Sequence, residues 1–124
     1  ELLNLDILTS HNNHSIDLIY YKTSSLFIFA FILGGIYSNT NNINIDEFKK
    51  MGEYLGLMYQ IMDDSNDIDT DESHKNIVLS YGSEKSLQLY RDAETKLVEL
   101  LLKYNLMTST FEKLISKLNQ KLKF

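Results

Sequence analysis

The sequence has 124 residues, no cysteine, no proline, and a formal net charge of −5 from 12 basic and 17 acidic side chains. That length supports one domain with a real core but not two. The acidic balance, with no basic stripe beyond sparse lysines near the C-terminus, argues against nucleic acid as a partner. The lack of cysteine removes a disulfide framework, a thiolate zinc site and a cysteine nucleophile, and fits a reducing, cytoplasmic compartment.

The chain opens at Glu1 in a run that is already half apolar by Ile7, and it reads as a sequence entered within a helix. An organellar leader would lie ahead of that point. The longest apolar run, residues 26–37, is broken by Gly34 and Gly35 and is 12 residues long. A membrane-spanning helix needs about 20. The run therefore predicts a buried core helix, not a transmembrane segment.

Between polar turn signals the spacing is helical throughout. A first helix is predicted over residues 15–37, where Ile16, Ile19, Tyr20, Thr23, Phe27, Ala30 and Phe31 recur at intervals of three and four. The asparagine-rich stretch 39–44 is a loop by composition. Asp46 can cap a second helix whose apolar positions are Phe48, Met51, Leu55, Met58, Ile61 and Met62. Ser83, followed by Glu84, can cap a third, with Leu87, Tyr90, Leu97, Leu101 and Tyr104 on its apolar face. Thr108 or Ser109 can cap a last one, with Phe111, Leu114, Ile115, Leu118 and Leu122 inward. Lys113, Lys117, Lys121 and Lys123 decorate its other side. No alternating strand pattern competes, so the fold class is all-α.

The chemically informative stretch is residues 56–69. Asp63 and Asp67 are four apart, which on a helix puts their carboxylates on one face, one turn apart. Gln60 precedes Asp63 by one turn and shares that face; Asp64 flanks it, and Asp71 extends the row if the helix continues. Like charges at this spacing repel, and a cation compensates them. Mg²⁺ suits the arrangement because it takes few carboxylates and bridges to phosphates. A solvated acidic helix end is the ordinary alternative. An EF-hand is excluded, since the mid-loop glycine and the terminal glutamate are both missing.

Gly52 and Gly56, one turn apart, leave a notch for another backbone or a ligand, because each costs about 0.8–1 kcal/mol against alanine within a helix. Lys22 and Thr23 stand at the polar break of the apolar first helix. Lys22 either snorkels to solvent or faces phosphate oxygens across a bound metal.

Taken in order, these residues resemble the trans-isoprenyl diphosphate synthase family, which includes farnesyl and geranylgeranyl diphosphate synthases. Lys22-Thr23 with Leu26-Phe27 is similar to the family's lysine–threonine motif and its apolar run. Gly34-Gly35 is similar to its small-residue packing point. Gly52, Gly56, Tyr59-Gln60 and Asp63-Asp64-Ser65-Asn66-Asp67 resemble its second aspartate-rich motif. Asn4-Leu5-Asp6-Ile7 and Tyr81-Gly82-Ser83-Glu84-Lys85-Ser86 resemble flanking stretches more loosely. The family's first aspartate-rich motif has no counterpart among these 124 residues.

The resemblance implies the C-terminal portion of one isoprenoid synthase-type helical bundle, spanning residues 1–124. It implies a prenyltransferase that condenses an allylic diphosphate with isopentenyl diphosphate by ionisation, condensation and elimination, with Mg²⁺ as cofactor and a homodimer as the assembly. These residues alone would then be inactive. Asp63, Asp64 and Asp67 are the implied metal ligands. Lys22, Thr23 and Gln60 are the implied catalytic residues, and Lys22, Thr23, Tyr59, Gln60 and Lys75 bind substrate. Lys75 takes the place of a Gly-Lys that many members carry on a longer loop. Phe27, Phe31, Met58 and Met62 would form the dry wall that keeps water from a carbocation. The rivals are a class I terpene cyclase, which needs no second substrate, and a non-catalytic helical subunit of a heteromeric synthase.

Overall fold

The computed structural model describes residues 14–38, 44–72 and 75–124, with side chains from Thr23 onward. Among the described residues every regular element is an α-helix. These are α1 (His14–Tyr37), α2 (Ile45–Asn66), α3 (Ile77–Tyr81), α4 (Ser83–Lys103) and α5 (Ser109–Lys121). The all-α expectation holds, and no helix is long and apolar enough to cross a membrane, the described residues being those searched.

Helix starts follow side-chain chemistry, with two corrections. Asn44, not Asp46, caps α2: its Oδ1 accepts from Glu47 N at 3.3 Å, and Asp46 joins Glu47 in the first turn. There both carboxylates face the positive end of the helix dipole. Ser83 does not cap α4, because Gly82 occupies that position at φ 87° without a side-chain bond. The short α3 was not anticipated; Asn76 caps it by accepting from Leu79 N at 3.1 Å. Thr108 caps α5 as expected. At the end of α4, Asn105 takes φ 58°, and the Leu106 N–H reaches back to Leu101 O at 2.7 Å. That is the Schellman pattern, with asparagine in the left-handed position usually held by glycine.

The core runs along α2. Met51, Leu55, Met58 and Ile61 pack with Leu89, Tyr90, Ala93, Leu97 and Leu101 of α4, and Ile115 and Leu118 of α5 close one side. Leu114 does not join them; it is partly exposed. On α4 the inward seam begins with Ser86 and Leu89, while Leu87 is half-buried. Polar bonds fix the helices laterally. Tyr90 OH donates to Asn119 Oδ1 at 2.7 Å, and Lys103 Nζ donates to Glu47 at 2.8 Å. On the far side of α1, Leu26, Phe29, Leu33 and Ile36 are exposed at three- and four-residue steps.

The notch at Gly52 and Gly56 is filled by backbone. A β-carbon on Gly52 would stand 2.5 Å from the Ile28 Cα, and one on Gly56 would stand 2.9 Å from the Ser24 Cα. Gly34, by contrast, faces open space, while its neighbour Gly35 is buried. Alanine for glycine in an open helix gains about 1 kcal/mol. Here the obstacle is main chain that cannot rotate away. Gly52→Ala is expected to destabilise the fold by about 1–3 kcal/mol, the ordinary cost of overpacking. Urea unfolding followed by circular dichroism measures it; an unchanged or higher midpoint would contradict the close contact.

Candidate functional site

The antiparallel packing of α1 on α2 brings the lysine–threonine end of α1 to the aspartate end of α2. Thr23 Oγ1 donates to Gln60 Oε1 at 3.0 Å, and Gln60 Nε2 donates to Asp64 Oδ1 at 2.9 Å. The second carboxylate oxygen of Asp64 accepts from Ile77 N at 2.8 Å, at the start of α3. Asn76, fully buried, donates from Nδ2 to Asp64 O at 2.9 Å and to Asp71 Oδ2 at 3.3 Å. One continuous polar line thus runs from α1 through α2 to α3.

This geometry separates the two aspartates of the Asp63-Asp64 pair. Gln60 shares its face with Asp64, four residues on, and not with Asp63. Asp64 is 3% exposed and both its oxygens are engaged within the protein. A carboxylate so occupied does not fit a metal ligand, and Asp64 holds structure instead. Asp63 is exposed and Asp67 half-exposed. Although its surface is open, neighbouring atoms partly desolvate Asp63 and raise its carboxyl above the usual range, and the charges of Asp67 and Asp71 push the same way. The row does not continue as helix. Asp67 is the C-cap of α2, and a turn in which the Asp71 N–H donates to Asp67 O at 3.0 Å returns Asp71 towards Asp63.

Asp63 and Asp67 therefore stand together at the negative end of α2, whose last turn holds no basic residue. Repelling carboxylates at that end of the dipole are a setting a divalent cation relieves. Among the described residues no three acidic or histidine side chains converge into a complete cage.

Thr23 also lines an open, mostly apolar recess of about 540 Å³ with Leu26, Phe27, Ala30 and Tyr59. The rings of Phe27 and Tyr59 are 5.9 Å apart. Met58 and Met62 are buried in the core and take no part in this wall, whereas Phe31 is half-buried beside it. Lys22 lies in α1 one position before Thr23, but its side chain is outside the described residues. Lys75 is exposed, with its ammonium 3.8 Å from Glu72.

Sequence reasoning missed Asn76 and the inward role of Asp64. Both left a signal: Asn76 precedes the apolar Ile77-Val78-Leu79, a cap signature, and Gln60 and Asp64 are one helical turn apart.

Burial pushes Asp64 up to about 6, against donation from Ile77 and Gln60, while Asp63 and Asp71 reinforce the shift. An acid whose folded pKa is raised keeps its proton longer in the folded chain. Between roughly pH 4 and 6 the unfolded state holds fewer protons, so stability falls as pH rises through that window and is level above it. The span is on the order of 2–3 kcal/mol. Asp64→Asn should flatten that part of the profile, read as urea midpoints across the window. The neutral variant can keep the polar line if Gln60 turns its amide over, because Thr23 can accept as well as donate. An unaltered profile would mean Asp64 does not titrate there.

A family model described as polyprenyl synthetase matches residues 4–80, which is more than half of the chain and takes in Thr23, Gln60, the aspartate run and Asn76. No curated protein and no solved structure matches the chain. Joined to the packing just described, in which the threonine helix and the aspartate helix form one unit, that match settles the classification: the chain belongs to the polyprenyl synthetase family.

Proposed function

We propose that this chain carries the second metal-binding half of a trans-prenyltransferase, which joins an allylic diphosphate to isopentenyl diphosphate. Family membership supports prenyl transfer in general. The observation that carries the finer reading is the Thr23–Gln60–Asp64 line, which locks the threonine of one motif to the aspartate helix of the other.

The difficult event is separating a diphosphate anion from an allylic carbocation. Asp63 and Asp67 are the residues that would hold Mg²⁺, which when bound neutralises charge growing on the leaving group. Lys22 is assigned to the same diphosphate. Thr23 acts on the carbon side. Its proton is committed to Gln60, so its oxygen lone pairs are free to face the recess, where they favour positive charge. Gln60 sets that direction, because its own amide is held by Asp64. Leu26, Phe27 and Tyr59 give the prenyl chain an apolar surface and keep water from the cation. Asp64 positions Gln60 and binds no metal. The second substrate, the other half of the metal cage and a homodimeric assembly belong to this same proposal.

The test is turnover of the whole protein with Mg²⁺, an allylic diphosphate and labelled isopentenyl diphosphate. Asp63→Ala is expected to lower turnover by about a hundredfold or more, the scale of losing a charge-stabilising group. Its unfolding midpoint should change little, because Asp63 is exposed. Near-normal product from that variant would overturn the assignment. A hydrocarbon formed from farnesyl diphosphate alone would point to a cyclase.

A further inference from the structure

The two residues between the aspartates, Ser65 and Asn66, are polar and both bond to the C-terminal end of the chain. Ser65 is buried; its Oγ donates to Met62 O at 2.7 Å and accepts from Lys123 N at 3.1 Å. Asn66 Nδ2 donates to Met62 O and to Lys121 O, each at 2.8 Å. Each side chain thus makes one bond within the last turn of α2 and one to the stretch where α5 ends. The described tail touches this turn through its backbone, at positions 55 and 58 residues away in sequence.

We propose that Ser65 and Asn66 are positioning residues that use the C-terminal tail to hold the last turn of α2, and with it the spacing of Asp67 from Asp63. The inference rests on the reading of those two aspartates as Mg²⁺ ligands. A last helical turn frays unless its ends are tied, and Asp67 is the C-cap, its own N–H reaching only Asp64 O at 3.2 Å. Two carboxylates that share one small cation must keep their separation before it arrives, since Mg²⁺ demands near-ideal geometry. The tail supplies that rigidity from outside the helix. Its contribution is the N–H and carbonyl of the chain, not the lysine charges.

The experiment separates backbone from charge. Lys123→Pro removes the N–H that Ser65 accepts, and the preceding Leu122, at φ −66° and ψ 125°, is already in the conformation a following proline demands. Lys123→Ala keeps the N–H and removes the charge. Mn²⁺ affinity of the whole protein, titrated by electron paramagnetic resonance, is the readout, with helix content checked by circular dichroism. Lys123→Pro is expected to weaken Mn²⁺ binding by about 10-fold, as loss of a residue orienting a ligand does, and Lys123→Ala to leave it unchanged. Ser65→Ala breaks the same bond from the other side, and the double variant should lose no more than either alone. Equal loss in the proline and alanine variants, or none in both Lys123→Pro and Ser65→Ala, overturns the inference. Asp63→Asn tests the underlying reading separately: if it leaves Mn²⁺ affinity intact, the metal assignment itself falls.

Discussion

The backbone-to-backbone contact of α1 with α2 at Gly52 and Gly56 governs the rest of the site. Nothing larger than hydrogen fits where these residues meet Ile28 and Ser24. Because the helices run antiparallel, each turn gained along α2 is a turn lost along α1. Gly52 meets Ile28 and Gly56 meets Ser24; from one turn further along α2 the long Gln60 side chain reaches back to Thr23, the neighbour of Ser24. The hydrogen bond between Thr23 and Gln60 is a consequence of that register, and a sideways slip of one residue would carry Thr23 off it. Two glycines that weaken α2 as an isolated helix thus set the alignment of Thr23 with Gln60.

Once aligned, the polar line has little freedom. Gln60 could present either end of its amide to Thr23, but Asp64, when ionised, can accept and not donate, and so fixes the NH₂ group on its own side. Asp64 is fixed in turn by the Ile77 N–H, and the Asp64 carbonyl by Asn76. A buried carboxylate is costly unless its lone pairs are met, and here α3 meets one oxygen with a backbone donor. The short α3 therefore has a purpose its five residues do not suggest: it brings a donor to the interior of the aspartate helix. Asp63, next in sequence, points outward with no such partners. Adjacent residues of one acidic motif have thus been given opposite physical tasks by the 100° step of the helix.

How much of this could be read from residue order depends on how far apart the partners lie. The four helices expected from the periodicity differ from it mainly at their ends, where a nearby asparagine or glycine displaced the expected cap, as at Asn44 and Gly82, and the short α3 was not expected at all. The separation of Asp63 from Asp64 was available to helix arithmetic, since 60 and 64 share a face as surely as 63 and 67 do. The attachment of Asn66 to Lys121 was not. Its partners are 55 residues apart, the tail offers only backbone, and backbone carries no signature in sequence. The identity of the notch's occupant was equally closed to view, because a pair of glycines accepts a helix or a ligand alike.

Local consistency fails at the end of α2, and the failure is informative. Along α4 and α5 each choice agrees with its neighbours: acids stand in the first turns, and lysines, Lys103 and Lys121, in the last. Helix α2 agrees at its start and reverses the rule at its end. There Asp63 and Asp67 sit against the negative pole with no basic residue in the final turn, and the carbonyl end of α5 is tied beside them through Asn66. Two helix C-termini and a row of carboxylates at one corner raise the energy of the bare fold. Departures from a local rule in an otherwise consistent fold concentrate at functional or strained sites. That corner is bonded across the chain through Ser65 and Asn66, and it is where the proposed Mg²⁺ would relieve the repulsion of like charges.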